Sequence, residues 1–401
     1  VFHTDINLHG LVNGIALPQI YSELAALDHT VSRIRNAMAQ KLNANEEIIS
    51  RTSCYLRNSY SAVDHFIVYQ FLDVEATMVD AESGVGSLRL IDAHAGASEA
   101  HVYYFGWGKD KLWHFSSEAS TDEGERIYFR LAGKLLWLEV PLPDSEQKRG
   151  ILTDGMTVLH NFGDVLSMSA LQRDFNTGIS ASLTRTGVCD FYKLMLNAEP
   201  MLIGTLNPGP DARAVRLATL RGHVYALISL HDPQACLTET TRSKIYMWET
   251  ADRWTLIQRL YGGSVINTFV KNEMLYALFS DIDVTSRCNA PSIVKVYRTC
   301  GSSGSQFELF QVMPVVSVSK IEIIKYGNVN DVYMVAANRT SAQIYLFNGE
   351  SGFQLLTAIP SNGLTDAKPI VLQNELYLIT AQGYNKRKSV VYKAVTKGPK
   401  E

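Results

Sequence analysis

The sequence lacks long apolar runs and a strong charge of either sign. No run approaches the roughly 18 consecutive apolar residues that a membrane-spanning helix needs. The formal net charge is only −3, whereas a protein that binds nucleic acid through phosphate contacts usually carries a marked excess of Lys and Arg. We therefore expect neither insertion into a membrane nor binding to nucleic acid.

Recognised catalytic signatures are also missing. The chain has no G-x-S-x-G nucleophile elbow, no H-E-x-x-H zinc motif, no phosphate-binding loop of the Walker type and no Gly-rich dinucleotide fingerprint. Its ten histidines are scattered along the sequence. We expect a protein without catalytic residues, cofactor or metal.

What the sequence does contain is a repeat, which is clearest at 331–359, DVYMVAANRTSAQIYLFNGESGFQLLTAI. Three strand-like runs are joined there by short polar turns such as Asn348-Gly349. The tyrosine of the second run recurs at intervals of 54, 51, 48 and 47 residues: Tyr192, Tyr246, Tyr297, Tyr345 and Tyr392. A unit of this length, with three or four strands and an aromatic residue at one position, predicts the blades of a β-propeller.

Weaker copies at 101–140 and 163–206 bring the count of complete copies to six. A seventh blade would exist if 49–97 formed one of its own. The last copy has only three obvious strands, and a closed propeller leaves no unpaired edge, so we expect 65–72 to supply its outer strand. The alternative is a β-sandwich, although sandwiches rarely keep one strand order at one period.

The fold class expected is therefore all-β: a β-propeller of six, or seven, four-stranded blades over 51–401, preceded by a helical segment over 1–50. In that segment, apolar residues follow a 4-3-4-3-4 spacing that fits two heptad positions. One interpretation is a single amphipathic helix lying on the propeller. The other is a short coiled coil joining copies of the chain, with these residues as the oligomerisation surface: Ile20, Leu24, Leu27, Val31, Ile34 and Met38.

The five cysteines suggest one inter-blade bridge. Cys236 and Cys288 precede the tyrosines of their copies by ten and nine residues, which places both in the same loop of neighbouring blades. We expect a disulfide between Cys236 and Cys288, with Cys189, inside a predicted inner strand, left as a free thiol. The alternative is five unpaired thiols in a cytosolic protein.

Asn338-Arg339-Thr340 is the only N-x-S/T sequon in the chain. It follows a predicted strand, in a loop where an acceptor asparagine would be exposed. We therefore expect Asn338 to carry a glycan in a secreted protein.

The unit YMVAANRTSAQIYLFNGESGFQLLTAI resembles an EAR repeat, also called EPTP, which builds the propellers of the leucine-rich glioma-inactivated and TSP-EAR-like families. The repeat has a "yLaVAN" strand, a "sxIYkW" strand, and then an aromatic residue followed by a "xxQxI" strand. Tyr246-Met247-Trp248 and Leu256-Ile257-Gln258 match this pattern, as do Phe307 and Gln311. The resemblance covers roughly 215–395 and is absent before about residue 60.

This resemblance implies a secreted or surface-tethered protein that binds other proteins and is not an enzyme. A chain that begins at Val1 rather than Met fits processing that has removed a signal peptide. We expect a secreted, non-catalytic propeller that acts in adhesion, matrix assembly or ligand–receptor recognition. Its partner would be an extracellular protein, and assembly into a homo-oligomer is left open. The rivals are an extracellular propeller enzyme with a site in its central channel, and an intracellular kelch-like or WD-like scaffold.

Overall fold

In the computed structural model, the 401-residue chain divides into two compact bodies, of which the second is mostly described and the first is described only at a few residues. The two compact bodies comprise residues 1–61 with 398–401, and residues 62–397. In the first body the described residues are 11–12, 15–16, 22, 25–27, 30–31 and 33. In the second they are 62–84, 86–93, 100–121, 124–141, 149–230, 242–249, 253–261, 263, 265–280, 293–300, 306–315, 318–327, 331–383 and 388–396.

The first body contains a short hairpin, β1 (Leu11–Val12) and β2 (Ile15–Ala16), in which Leu11 pairs with Ala16. The described residues between Ser22 and Arg33 have helical backbone. Most of the predicted segment 18–42 lies outside the described residues, so a continuous helix remains a prediction. No helix among the described residues is long and apolar enough to span a membrane.

The described residues of the second body form strands, turns and one 3-10 turn at Gly349–Ser351. The strands are β3 (Val63–Leu72), β4 (Met78–Ala81), β5 (Ser87–Asp92), β6 (Ala100–Trp107), β7 (Trp113–Thr121), β8 (Glu125–Leu131), β9 (Lys134–Val140), β10 (Arg149–Thr153), β11 (Val158–Gln172), β12 (Thr177–Thr184), β13 (Cys189–Met195), β14 (Met201–Leu206), β15 (Ala212–Leu220), β16 (His223–Leu230), β17 (Arg242–Glu249), β18 (Arg253–Tyr261), β19 (Val265–Lys271), β20 (Met274–Ser280), β21 (Val294–Cys300), β22 (Gln306–Met313), β23 (Lys320–Tyr326), β24 (Asp331–Asn338), β25 (Ser341–Phe347), β26 (Phe353–Pro360), β27 (Asp366–Leu372), β28 (Glu375–Ala381) and β29 (Ser389–Thr396).

These strands form six antiparallel sheets, of which five have four strands and one, β8 to β14, has seven. The seven-stranded sheet divides within β11, whose first half pairs with β10 and whose second half pairs with β12. Gly163 lies at this division with φ +78°, a left-handed conformation that glycine adopts without steric cost. Six is thus the number of hydrogen-bonded sheets, and seven is the number of four-stranded blades when β11 is counted in both halves.

We number the blades in chain order. Blade 1 is β4–β7, blade 2 is β8–β10 with the first half of β11, and blade 3 is the second half of β11 with β12–β14. Blades 4, 5 and 6 are β15–β18, β19–β22 and β23–β26, and blade 7 is β27–β29 with β3. The sequence copy at 101–140 is therefore split: its first two strands end blade 1 and its last two begin blade 2.

The first strands of successive blades contact one another in a closed ring around a central channel. Contacts run from β8 to β11, β15, β19, β23, β27 and β4. The backbone N–H of Arg126 in β8 donates to Asp80 Oδ2 in β4 at 3.2 Å and completes the circle. The predicted β-propeller is confirmed. Among the described residues, β3 is the first strand to pair into the ring. The predicted boundary at residue 51 lies outside the described residues and stays a prediction.

The predicted closing strand is also confirmed. β3 pairs antiparallel with β29, from Leu72 opposite Ser389 to Val63 opposite Thr396. Strands from the two ends of the second body thus complete one blade. This pairing satisfies the edge of β29, which would otherwise present free N–H and C=O groups.

The second strands of blades 4 to 7 explain the most apolar repeats in the sequence. β16, β20, β24 and β28 are buried along almost their whole length, because neighbouring blades cover both faces. One core cluster, for example, combines Leu278 and Val296 of blade 5 with Met334 and Tyr345 of blade 6. Strands buried on both faces read as continuous apolar runs rather than as alternating ones.

The repeated tyrosines occupy equivalent positions, as predicted. Each follows a register shift against the fourth strand, where one extra residue forms a β-bulge. Tyr246, Tyr297, Tyr345 and Tyr392 are buried, whereas Tyr192 is partly exposed. The tyrosine position is therefore a property of the blade and not of one local sequence.

Candidate functional site

A cluster of charged side chains lies in the central channel, at the end where the first strands begin. Lys320, the first residue of β23, places its Nζ 3.0 Å from Glu125 Oε1 of β8 and 3.2 Å from Asp366 Oδ2 of β27. Glu322 Oε1 is 3.6 Å from the same Nζ. We call these four residues the channel cluster. It ties blades 2, 6 and 7 together beside a cavity of about 410 Å³.

The channel cluster also reaches blade 1. Asp366 Oδ2 accepts a hydrogen bond from the backbone N–H of Val79 at 2.8 Å. Burial raises the pKa of Asp366, and the nearby Lys320 ammonium opposes this rise in part. The carboxyl is therefore held by a hydrogen bond and an ion pair at the same time.

Burial alone would raise the pKa of Glu125, but the ammonium groups of Lys320 and Lys368 outweigh it and lower that pKa to about 2. Burial would likewise lower the pKa of Lys320, yet the carboxylates of Asp366, Glu125 and Glu322 hold it well above its usual value. A general acid or base works best with a pKa near the operating pH. The pKa of Glu125 is lowered and that of Lys320 is raised, so both lie farther from neutral pH than usual. The arrangement therefore favours a permanent ion pair that braces the channel over proton transfer.

A second buried ion pair lies in blade 1. Arg89 Nη1 donates to Asp80 Oδ2 at 2.9 Å, with both side chains almost fully buried. Arg89 Nη2 also donates to the carbonyl of Gly124 at 3.3 Å, at the start of blade 2. In the described part of the chain, no group of three or more His, Cys, Asp or Glu side chains is placed to hold a metal ion.

At the outer edge of the ring, three glutamines connect the fourth strands of neighbouring blades. Gln311 Nε2 donates to the carbonyl of Phe353 at 2.9 Å, and the N–H of Phe353 donates back to Gln311 Oε1 at 2.8 Å. Gln258 makes the same pair of bonds to Phe307, at 2.8 and 2.7 Å. Gln70 makes it to Trp113, at 2.7 and 2.9 Å. We call each pair a glutamine bridge.

The glutamine bridges explain why an aromatic residue and a glutamine recur in the sequence repeat. The glutamine lies opposite the residue that precedes the bulge, as in Ile245–Gln258 and Val296–Gln311. The equivalent position in blade 3 is Gly204, opposite Phe191. Blades 3 and 4 therefore meet without a glutamine bridge.

The boundary between blades 3 and 4 contains a cavity of about 370 Å³, at the end of the ring where the first strands end. Arg173 follows β11, and its guanidinium lies 4.7 Å from the ring centroid of Trp248 in β17. Deeper in the boundary, the rings of Phe191 and Trp254 are 4.0 Å apart. We call this cavity the seam groove; its other lining residues are Lys193, Met201, Ile203, Arg221, Gly222, His223, Val224 and Glu249.

The seam groove is cationic on a chain whose net charge is −3. Among the described residues, its lining includes the cations Arg173, Lys193 and Arg221 and one carboxylate, that of Glu249. Arg221 also contacts Glu273 outside the groove at 3.2 Å. Met201 adds an apolar side chain that is 50% exposed.

An exposed apolar residue recurs on the fourth strands, opposite the aromatic residue that follows each bulge. Leu309 lies opposite Tyr297, and Leu355 lies opposite Tyr345. We call these the rim residues, and all are exposed: Val68, Phe115, Leu202, Leu256, Leu309 and Leu355. They come from six of the seven blades.

The structure corrects one site prediction. Asn338 is the last residue of β24 and is only 5% exposed. Its Oδ1 accepts hydrogen bonds from the backbone N–H groups of Thr340 and Ser341, at 2.9 and 2.8 Å. The expectation of an exposed acceptor in a loop is wrong, because this side chain organises the turn between two strands.

The other predicted site residues lie largely outside the described part of the chain. Cys236 and Cys288 are not described, so their disulfide remains a prediction. Cys189 is buried in β13 and forms no disulfide, as expected, and Cys300 is also unpaired. Of the heptad stripe, only Leu27 and Val31 are described, and both are exposed; Ile20, Leu24, Ile34 and Met38 are not described.

Sequence reasoning identified the glutamines and aromatic residues of the repeat without their bonding. It missed the channel cluster and the seam groove. Glu125, Lys320 and Asp366 are distant in sequence, and only the ring brings their strands together. The repeated glutamine is missing at Gly204, but Ser117 and Thr357 stand at the equivalent positions of blades 1 and 6, so this loss alone does not mark the groove.

No protein-family model matches the chain, and no curated protein matches it. Solved structures do match. One is BBS1N in complex with ARL6DN, soaked with mercury, with a TM-score of 0.54, 10% identity, and coverage of 85% of this chain and 100% of that one. The lead-soaked crystal of the same complex matches with a TM-score of 0.53 and 10% identity, and the match covers 85% of this chain and 99% of that one. At this identity the likeness concerns the fold alone: the chain has a β-propeller fold similar to that of BBS1N.

Proposed function

We propose that this chain is a non-catalytic β-propeller that binds another protein in the extracellular space. The observation that carries the proposal is the repeated exposure of the rim residues. One exposed leucine needs no explanation, because much of any protein surface is apolar. Apolar exposure at the same position of six blades gives the ring a repeated set of contacts for a partner.

Rigidity supports the same function. The closing strand, the glutamine bridges and the channel cluster connect blades at the edge and at the centre of the ring. A rigid scaffold lowers the entropic cost of presenting a binding surface. Binding by BBS1N, a propeller crystallised in complex with ARL6DN, is consistent with this use of the fold.

The extracellular assignment and the EAR-type repeat are finer parts of the proposal. The EAR resemblance supports both, and the glutamine bridges give its aromatic and glutamine positions a structural purpose. A disulfide between Cys236 and Cys288 would agree with an oxidising compartment. Counting thiols in the unfolded, unreduced protein tests this: one disulfide leaves three of the five cysteines reactive, whereas five reactive thiols would favour an intracellular scaffold.

Oligomerisation through the N-terminal segment belongs to the same proposal. The variant Leu27→Glu should shift the sedimentation mass to that of a monomer without changing the β-sheet circular dichroism. If the wild-type chain is already a monomer at micromolar concentration, oligomerisation through the N-terminal segment is refuted.

The proposed function is tested by affinity capture with the biotinylated intact chain on a preparation of cell-surface and secreted proteins, read by mass spectrometry. We expect at least one protein whose capture is saturable and is abolished by excess unlabelled folded chain. Heat-unfolded chain is the matched competitor and should not compete. Capture that neither competitor changes, or that both abolish equally, would contradict recognition by the folded ring.

A further inference from the structure

Unlike three of the other blade boundaries, the boundary that contains the seam groove has no glutamine bridge. Between blades 4 and 5, and between blades 5 and 6, a glutamine bridge joins the fourth strands. Between blades 3 and 4 the glutamine position is Gly204, which has no side chain to reach Trp254. Aromatic packing of Phe191 on Trp254 holds the inner part of this boundary, and the outer part opens into the groove.

The walls of the groove present two kinds of chemistry. One is apolar: Met201 and Ile203 come from β14 and Trp248 from β17. The other is cationic: Arg173 and Lys193 come from blade 3, and Arg221 comes from the first turn of blade 4. A ligand that uses both must carry negative charge and at least one apolar side chain.

Two features narrow the class of ligand further. The volume of about 370 Å³ is large enough for one or two side chains and too small for a folded domain. The groove is lined by Met201 and Ile203 of β14, which is an edge strand among the described strands, and extended peptides bind to such edges.

We propose that the seam groove binds an acidic, extended segment of a protein partner, with one apolar side chain inserted between Met201 and Trp248. The carboxylates of the segment lie against Lys193 and Arg173, where they form charge-assisted hydrogen bonds. The cations Arg173, Lys193 and Arg221 disfavour a basic segment. This inference rests on the proposed protein-binding function and assigns it a place and a partner chemistry.

The test begins with selection of random twelve-residue peptides, displayed on phage, against the immobilised intact chain. The selected peptides should be enriched in Asp and Glu around an apolar residue. The strongest is then made with a fluorescent label, and its affinity for the chain is measured by fluorescence anisotropy. Its affinity should fall as NaCl is raised, because the contacts with partly exposed cations are screened.

Three variants locate the binding. Lys193→Glu should weaken the peptide about tenfold, the loss expected for one charge-assisted contact. Met201→Ser should weaken it by a similar factor, about tenfold, through loss of the apolar wall. Lys109→Glu is the matched control: Lys109 is exposed in a turn of blade 1, and its reversal should leave the affinity unchanged. Circular dichroism melting should be the same for all three, because none of these side chains is buried.

Three outcomes would overturn the inference. These are selected peptides without acidic enrichment, no selected peptide at all, and an equal loss of affinity in Lys193→Glu and Lys109→Glu. Affinity capture separates its failure from that of the proposed function. If Lys193→Glu captures the same protein as the wild type, and unlabelled folded chain abolishes this capture as strongly, the groove is not the binding site, although the protein-binding function stands. If the wild type captures nothing while acidic peptides still bind at the groove, the proposed function fails and the site remains.

Discussion

Loss of one glutamine bridge is the most specific perturbation of the ring. In Gln311→Met the side chain keeps much of its length and loses both hydrogen bonds to the Phe353 backbone, which span 2.9 and 2.8 Å. A hydrogen bond contributes about 0.5–1.5 kcal/mol net, so the bridge contributes about 1–3 kcal/mol. The lower half of that range is expected, because Gln311 is only partly buried and water can replace part of what is lost.

The effect should be local as well as global. The N–H of Phe353 donates to Gln311, so its hydrogen exchange should accelerate about tenfold for each 1.4 kcal/mol lost. Hydrogen–deuterium exchange by mass spectrometry measures the exchange rate at Phe353, and urea unfolding measures the change in the free energy of unfolding of the whole chain. Gln354→Met is the matched control, since Gln354 is exposed on the same strand. If exchange at Phe353 were unchanged in Gln311→Met, or accelerated equally in the control, the bridge would not be joining the blades.

Three further predictions address the ring. Deleting residues 1–75 removes β3 and should cause aggregation or a large fall in melting temperature, whereas deleting 1–60 should leave the ring intact; equal melting of the two truncations would contradict the closing-strand pairing. Tyr345→Ala should lower the free energy of unfolding by about 3–5 kcal/mol, and Tyr345→Phe by about 1 kcal/mol, measured by urea unfolding; a loss below about half a kcal/mol for the alanine variant would refute its place in the core. The folded pKa of Glu125, about 2, is below its usual 4.5, so its carboxylate stabilises the fold above pH 4.5 and loses this contribution as the pH falls toward 2. Glu125→Gln should therefore be less stable than wild type at pH 7, and the difference should shrink across that interval in unfolding measurements; a difference independent of pH would contradict the ion pair with Lys320.

The blades that the sequence predicted best are those buried on both faces. Their second strands read as unbroken apolar runs, and the bulge places an aromatic residue at a constant position, so period and strand order were visible together. The boundary between blades 1 and 2 was misplaced because a strand pattern does not reveal its position within a sheet. The strands at 100–121 and 125–140 have the expected alternation, but they belong to two different sheets.

Side-chain roles were harder to predict where a motif has two uses. The sequon at Asn338 has the residues of a glycosylation acceptor, whose amide nitrogen would carry the glycan, and the amide oxygen of the same side chain is well suited to organise a turn. In the folded chain the amide oxygen has the second role, with the backbone N–H groups of Thr340 and Ser341 as donors, and a glycan on Asn338 stays a prediction. The channel cluster had no local signal at all, since Lys320 and Glu125 are 195 residues apart and meet only because the ring closes.

The most direct test of the central claim, that the ring binds a protein through its outer surface, is site-specific photo-crosslinking at the rim. A photoreactive phenylalanine analogue replaces Phe115, Leu202 or Leu309 in turn, and a buried position, Phe279, serves as the matched control. Each variant is irradiated with the proteins recovered by affinity capture, and adducts are identified by mass spectrometry. We expect adducts with the captured protein from at least one rim position and none from the control. No adduct from any rim position would contradict this claim.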